Sequence, residues 1–278
     1  MPRVRCLMSL NAKNMEKKYE LTDDVIYHNG RTLHRIRALR DFSNVRAGDL
    51  GGYIQTEYNL SHEGNAWVDD YAKVYDKARV DDDALICCLA EVCDNVEIWG
   101  NAKIYNYAKV SGYAVVYGNA EVYNSAKVYD NARVSCDASV STEAIVCGRA
   151  KIYDKAIISG YAKIHGEAEV RDYAHVWGDA EVCGKAVVSG NAYIRGDAKV
   201  NGKADYIVFK NFWSSGRYFI WTRSNNRWAV GCFDGTGEEL IKKAYRDSEN
   251  SGREYERVVR YVESILADER EEENKKYK

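Results

Sequence analysis

One stretch in the middle of the chain, residues 101–134, decides the fold: NAKIYNYAKVSGYAVVYGNAEVYNSAKVYDNARV. Every sixth residue in it is Ala, and the residue two positions later is always Val or Ile. The same unit runs without insertion or deletion over residues 66–203, which makes 23 units in 138 residues. The small position is Ala throughout except at Val96. Such regularity predicts a solenoid built from one short element per unit.

The side-chain spacing within a unit predicts what that element is. Ala and Val or Ile are two residues apart, so both point to the same face of a short β-strand. The residues that follow are often Gly-Asn, Asp-Asn or Gly-Asp, which tolerate left-handed backbone angles and favour a corner. We therefore expect short strands joined by corners around a narrow aliphatic interior.

The repeat resembles that of the hexapeptide-repeat proteins over residues 66–204, about half of the chain. The resemblance implies a left-handed parallel β-helix with three strands per coil. Eighteen residues per coil then predict about 7–8 triangular coils, in a mainly β protein with an N-terminal β cap and a small C-terminal α+β module.

The segments before the repeat predict a cap over the open end of the solenoid. Residues 1–18 are expected to be disordered or a non-native start, because Met15 is an alternative first residue. Residues 19–65 are expected to form the cap, around a β-hairpin that turns at Asn29-Gly30.

Residues 205–267 predict the C-terminal module, and residues 268–278 a charged, frayed tail. Strands are expected at 205–212, 218–223 and 227–233. Two helices should follow, each opened by a capping box: Thr236 with Glu239, and Ser251 with Glu254.

The flanking segments resemble uncharacterised hexapeptide proteins of bacteria and their phages. The stretches that carry this resemblance are residues 37–42, 51–54 and 231–236. Those relatives are often called polymer-forming, or transferases by fold alone, so the resemblance implies a phage-related or mobile-element setting and no established chemistry.

Composition excludes several classes of function. The formal net charge is -2, from 40 basic and 42 acidic residues, so nucleic acid is not an expected partner. No apolar run is long enough for a membrane span, and no signal peptide is evident, so we expect a cytoplasmic protein. The eight cysteines lack CxxC spacing and predict free thiols.

Residues 18 apart should stack in columns on the outside of the coil, and one face is rich in aromatic residues. These columns predict structural stacking, an interface with another copy or with the C-terminal module, or a ligand-binding surface. The expected contact residues are Tyr105, Tyr123, Ile157, His175, Trp177 and Tyr193.

A second face carries a lysine stripe that could hold an anion such as a nucleotide. Its members are Lys73, Lys109, Lys127, Lys163 and Lys199, next to Tyr75 and Tyr129, and the expected anion contacts are Lys109, Lys127, Lys163 and Tyr129. Because Glu91 and Glu181 interrupt the stripe, a solvated face is favoured.

Cys147, His165 and Cys183 fall in one column of that second face, but the spacing does not predict a metal site. The γ-class carbonic anhydrases, which share the fold, bind zinc through three histidines, and no comparable histidine set occurs here.

Many hexapeptide proteins are acyltransferases, which implies His175, or else His165, as a general base and acetyl-CoA or another acyl-CoA as cofactor. The repeat extrudes no loop to build a pocket beside either histidine.

The favoured expectation is therefore a non-catalytic scaffold without a cofactor. It would form a homo-oligomer, plausibly a trimer, and could bind a protein partner through the C-terminal module. An acyltransferase and a small-molecule or nucleotide sequestering protein are the alternatives.

Overall fold

The computed structural model describes residues 16–211 and 216–276 and confirms a parallel β-solenoid of about eight turns. Two-residue strands pair in parallel with partners 18 residues away, as Lys103 does with Glu121. Face 1 consists of Trp67–Val68, Leu85–Ile86, Lys103–Ile104, Glu121–Val122, Ser139–Val140, Ile157–Ile158, His175–Val176 and Tyr193–Ile194. Face 2 consists of Lys73–Val74, Glu91–Val92, Lys109–Val110, Lys127–Val128, Ile145–Val146, Lys163–Ile164, Glu181–Val182 and Lys199–Val200. Face 3 consists of Arg79–Val80, Glu97–Ile98, Val115–Val116, Arg133–Val134, Lys151–Ile152, Glu169–Val170 and Val187–Val188. The handedness that the resemblance implies stays a prediction.

The interior is the aliphatic column that the repeat predicts. Ala102 and Ile104 are fully buried, as are their counterparts in every other unit. Backbone hydrogen bonds join successive coils, for example from Lys103 N to Ala120 O at 2.9 Å. Because the strands pair only along the solenoid axis, each coil is stabilised by its two neighbours.

The corners have the left-handed backbone that the sequence predicts. Every sixth residue from Asp70 to Gly196 has a positive φ, and most of these residues are Gly, Asp or Asn. Aspartates there also bond to the next coil: Asp130 Oδ2 accepts a hydrogen bond from Gly148 N at 3.0 Å. Three residues that do not favour this conformation occupy it nonetheless: Cys88, Cys136 and Thr142.

The N-terminal cap extends the sheet of face 2. Strands Tyr19–His28 and Arg31–Ala38 form the predicted hairpin around Asn29-Gly30, and both turn residues have a positive φ. The second of them pairs with Leu50–Ile54, which pairs in turn with the first strand of face 2. A short 3-10 helix, Glu57–Asn59, leads into the first coil.

Lys18 lies at the open end of the first coil, although residues 1–18 were predicted to be disordered or a non-native start. Its side chain is fully buried, and Nζ donates a hydrogen bond to Ala66 O at 2.7 Å. The ammonium group therefore supplies a hydrogen-bond donor to a carbonyl oxygen at the end of the first coil. Residues 1–15, including Met15, lie outside the described residues.

The C-terminal module covers the other end. After the 3-10 helix Lys203–Asp205, a four-stranded antiparallel sheet forms from Tyr206–Lys210, Tyr218–Thr222, Arg227–Val230 and Phe233–Gly235. Ile220 and Ala229 on one side of this sheet belong to the same core as the solenoid interior. Its other side packs against helices α1 (Gly237–Asp247) and α2 (Glu249–Lys276).

Three details of this module differ from the sequence prediction. The predicted third strand is two strands, because Gly231 has a positive φ and the chain turns there. The Ser251 capping box is wrong: α2 begins at Glu249, and Ser248 Oγ instead accepts a hydrogen bond from Ser251 N at 3.1 Å. The Thr236 box is confirmed.

The predicted tail is helical as far as Lys276 rather than frayed. Arg223 Nη1 holds Glu269 Oε2 at 2.8 Å and so fixes this last part of α2 to the sheet. Within the described part of the chain, no helix has the length and apolar character that crossing a membrane requires.

Candidate functional site: the aromatic side of the solenoid

Face 1 brings the predicted aromatic residues into stacked pairs. The rings of Tyr105 and Tyr123 lie 4.9 Å apart with an angle of 1° between their planes. His175 stacks on Tyr193 in the same way, at 4.5 Å and 26°. Both pairs join residues 18 apart, so the strand register itself positions the rings. Stacking accounts for part of the aromatic content of the face.

The predicted contact cluster at the C-terminal half of face 1 is one continuous surface. His175 pairs with Ile157 on one side and with Tyr193 on the other. Trp177, which directly follows the strand His175–Val176, is 43% exposed, and Tyr193 is 40% exposed. These four residues therefore remain available to a partner.

Both ends of face 1 are covered by the chain itself. Trp67 in the first coil is buried against the cap, with its ring 5.3 Å from that of Phe42. At the other end, Arg195 reaches the C-terminal module, where its Nε lies 3.1 Å from Asp234 Oδ2. The part of face 1 between these two contacts is exposed to solvent.

The most exposed apolar row lies at the corner between faces 1 and 2, and the sequence prediction missed it. Tyr71, Leu89 and Tyr107 occupy the same corner position in three successive coils and are 59%, 44% and 62% exposed. We call these three residues the aromatic edge. The signal was present in the sequence, because they are 18 residues apart, but only the faces were considered.

Charge distinguishes the sides of the solenoid. On face 1, Lys103 Nζ lies 3.4 Å from Glu121 Oε1, and Arg195 pairs with Asp234, so these charges are compensated locally. Face 2 carries more lysines than acids among its outward strand residues. The aromatic side is therefore the more nearly neutral one.

The predicted lysine stripe is split by its acids. Lys109 Nζ lies 3.3 Å from Glu91 Oε2, so its charge is compensated. Lys127 and Lys163 line an open groove of about 520 Å³, together with Ser125, Glu143, Ile145, Tyr161, Asp179, Glu181 and Lys199. Because carboxylates alternate with the amines there, the groove carries both signs of charge. The remaining predicted residue, Tyr129, has its pKa raised to about 12 by a hydrogen bond with Cys147 and by burial.

Glu91 also anchors the cap hairpin to face 2. It accepts a hydrogen bond from Tyr75, and His28 Nε2 lies 3.1 Å from its Oε1. Burial alone would raise the pKa of Glu91, but hydrogen bonds from Tyr75 and His28 and the charge of Lys109 lower it to about 2. These contacts hold the cap hairpin against face 2.

The two histidines considered as general bases are on different faces and do not act together. His165, on face 2, places Nε2 2.9 Å from Glu181 Oε1. This contact lowers the pKa of Glu181, and Lys199 lowers it further. His175, on face 1, has its pKa lowered by burial.

Cys147, His165 and Cys183 lie in one column of face 2, as predicted. The structure brings ligand atoms of His165, Glu181 and Cys183 within 4.8 Å of one another, and Cys147 is not in this group. A second group with the same spacing consists of Asp70, Cys87 and Cys88, which the sequence analysis did not single out.

A groove of about 730 Å³ lies where the cap meets face 1. Its walls include Asp49, Trp67, Asp69, Asp83 and Lys103. Sequence reasoning could not predict it, because its two walls come from the cap loop and from the first three coils.

No family model matches the chain, and no curated protein matches it in sequence.

Proposed function

We propose that the protein is a non-catalytic scaffold, and that its rods associate side by side through the aromatic edge and the open part of face 1. The observation that carries this proposal is the row of Tyr71, Leu89 and Tyr107, each more than two fifths exposed. Large apolar side chains exposed in a continuous row commonly mark an interaction surface. A second copy of the chain is the partner we propose.

The closed ends favour lateral association over end-to-end polymerisation. The cap hairpin covers the first coil, and the four-stranded sheet places Ile220 and Ala229 in the core at the last coil. Covering the end coils disfavours the pairing of another copy onto their strand edges. The sides of the solenoid are therefore the favoured surfaces for assembly.

The charge on face 1 is compatible with a copy of itself. An interface between identical surfaces brings like charges together unless the charges are compensated locally. The Lys103–Glu121 pair meets this condition, whereas a lysine-rich face 2 would repel its copy. The resemblance to hexapeptide-repeat proteins makes a trimer the assembly to expect, and a protein partner could then bind the C-terminal module.

Light scattering coupled to size-exclusion chromatography tests the proposal. Tyr107→Asp should dissociate the assembly, because it buries a charge in the interface. Tyr113→Asp is the matched control: Tyr113 is 63% exposed, against 62% for Tyr107, but lies at the corner between faces 2 and 3. A wild-type protein that is monomeric at every concentration would overturn the proposal, as would equal effects of the two variants.

Trp177→Asp locates the interface along the rod. If the aromatic edge carries the contact, this variant weakens association less than Tyr107→Asp does. The reverse order would move the interface to the cluster around His175 and Trp177.

Each alternative function has one supporting observation. The pairing of His165 with Glu181 is suited to a general base, so an acyltransferase predicts acyl-CoA turnover that is lost in His165→Gln. The groove beside Lys127 and Lys163 supports a sequestering protein, which predicts stoichiometric ligand without turnover. Native mass spectrometry of the purified protein separates both from a bare oligomer.

A further inference from the structure

Two thiols and a carboxylate meet at the corner between faces 1 and 2. Cys87 Sγ and Cys88 Sγ are 3.7 Å apart. A carboxylate oxygen of Asp70, one coil earlier, lies within 4.8 Å of both sulfurs. Asp70 Oδ2 also accepts a hydrogen bond of 3.1 Å from Cys88 N, as other corner aspartates do from the next coil. The proposed scaffold function does not use the two thiols.

The sulfur separation matches that of a zinc site. Two thiolates that each bind Zn²⁺ at about 2.3 Å with a tetrahedral angle are about 3.8 Å apart. The observed 3.7 Å would need almost no movement of the side chains.

The backbone at Cys88 explains how adjacent cysteines come together. Successive side chains of an extended strand point to opposite faces, which would separate the two thiols. Cys88 instead has a φ of +63°, in the left-handed region. Gly, Asp or Asn occupies this corner position in most other coils, so a cysteine here is conformationally disfavoured. An unfavourable residue that completes a cluster of donor groups indicates a use for that residue.

The geometry points to a site for a soft divalent cation, with Zn²⁺ as the probe, held by Cys87, Cys88 and Asp70. On binding, each thiol loses its proton to solvent and two S–Zn bonds form, so two protons are released per ion. The Asp70 carboxylate adds a third bond, and the exposed corner leaves a fourth position for water. Nearby Asp69 adds negative charge that favours a cation.

Such an ion would join two coils. Asp70 belongs to the first coil and the cysteines to the second, and Tyr71 and Leu89 of the aromatic edge directly follow them in the chain. Metal binding would therefore stabilise this part of the solenoid. Because each thiol must lose its proton before it can bind the ion, affinity should increase with pH.

Differential alkylation tests the site directly in the wild-type protein. The reduced protein is treated with iodoacetamide with and without one equivalent of Zn²⁺, and each cysteine is quantified by peptide mass spectrometry. We expect alkylation of Cys87 and Cys88 to slow at least about tenfold, since binding sequesters the thiolate that reacts. Cys136 is the internal control: it shares the positive φ of Cys88, but its sulfur contacts Ser135 Oγ at 4.0 Å and belongs to neither donor group among the described residues.

Variants then separate this site from the other candidate. Cys88→Ser should abolish stoichiometric Zn²⁺ binding, Asp70→Asn should weaken it, and Cys136→Ser should leave it unchanged. Protection at Cys183 instead of Cys87 and Cys88 would overturn the assignment in favour of His165, Glu181 and Cys183. Unaltered alkylation of all cysteines would overturn it outright.

Discussion

Tyr105 Oη donates a hydrogen bond of 3.2 Å to Glu121 Oε2, sixteen residues further along the chain. Tyr153 makes the same contact with Glu169, also at 3.2 Å. Residues 18 apart lie directly beside each other on neighbouring coils. Residues 16 apart are offset by two positions along the strand, so these partners are diagonal neighbours on one face. His165 and Glu181 are related in the same way. Tyrosine makes the same contact with glutamate at this position. The contact of His165 with Glu181 therefore follows from the strand register and does not require a catalytic role.

Removing one diagonal hydrogen bond should measurably destabilise the rod. Tyr105→Phe keeps the ring stacked on Tyr123 but leaves the Glu121 carboxylate without this donor. We expect the free energy of unfolding to fall by about 1 kcal/mol, measured by urea denaturation. Tyr107→Phe is the control, since Tyr107 lies on the exposed edge, and should change it by less than about 0.5 kcal/mol.

The same pair has a signature at alkaline pH. Burial and the charge of Glu121 raise the pKa of Tyr105 from 10.0 to about 12. The folded protein then holds this proton more tightly than the unfolded chain, so the contribution is complete below pH 10 and is lost as the pH rises toward 12. Tyr105→Phe should lack this loss. Equal alkaline destabilisation of both proteins would contradict the contact.

The parts of the fold that could be predicted from the sequence depend on local patterns. The spacing of Ala and Val or Ile predicts the strands, the corner residues predict positive φ, and Asn29-Gly30 predicts the hairpin turn. Each of these follows from a few neighbouring residues and from steric limits on the backbone.

The missed features depend on contacts that no local pattern encodes. Lys18 meets Ala66 across 48 residues, and the groove beside Trp67 needs the cap loop in place. Cys87 and Cys88 were overlooked for the opposite reason, because adjacent side chains in a strand normally diverge. The aromatic edge was predictable in principle, by applying the 18-residue register to corners as well as faces.

Thr142 offers a test of the corner conformation. Its φ is +61°, which is unfavourable for a β-branched residue, and it follows Asn124 in the same corner column. Asn106 Nδ2 already donates to Asn124 Oδ1 at 2.9 Å, so an asparagine at 142 would extend this ladder. We expect Thr142→Asn to raise the free energy of unfolding by about 1 kcal/mol.

Thr142→Val is the matched control, because it keeps the branched shape and removes the hydroxyl group. It should not stabilise the protein. If urea denaturation shows the valine and asparagine variants to be equally stable, relief of the left-handed strain is not the cause.

Buried Lys18 should make stability increase with pH. Burial, together with the nearby Arg40 charge, lowers its pKa from 10.5 to about 8. Between these values the unfolded chain binds a proton that the folded protein has released, so stability rises with pH in this window. Relative to Lys18→Met, the wild type should gain about 1.6 kcal/mol between about pH 8 and pH 9.5.

Urea denaturation of both proteins across that range measures the difference. Below pH 10 most tyrosines stay protonated. The alkaline loss of stability that tyrosine ionisation causes therefore does not mask the effect of Lys18. Parallel pH profiles would show that the Lys18 ammonium is not desolvated in the folded state.

Arg195 should hold the C-terminal module on the solenoid. Its side chain is only 12% exposed, and it donates to Phe233 O while pairing with Asp234. Arg195→Met should weaken docking by about 2 kcal/mol, less than for a fully buried pair because Asp234 is one-third exposed and keeps Arg227. Hydrogen exchange should then accelerate in Tyr218–Thr222 and Arg227–Val230, while the middle coils stay protected. Lys185→Met, at an 87% exposed side chain, should change neither region.

The same variant tests whether the module closes the end of the rod. Detachment would uncover the core around Ile220 and the strand edges of the last coil, and open edges recruit other chains. We therefore expect Arg195→Met to form higher oligomers at concentrations where the wild type does not. Faster exchange in the module without any change in assembly would mean that the final coil needs no cover, and the argument for lateral association from closed ends would fail.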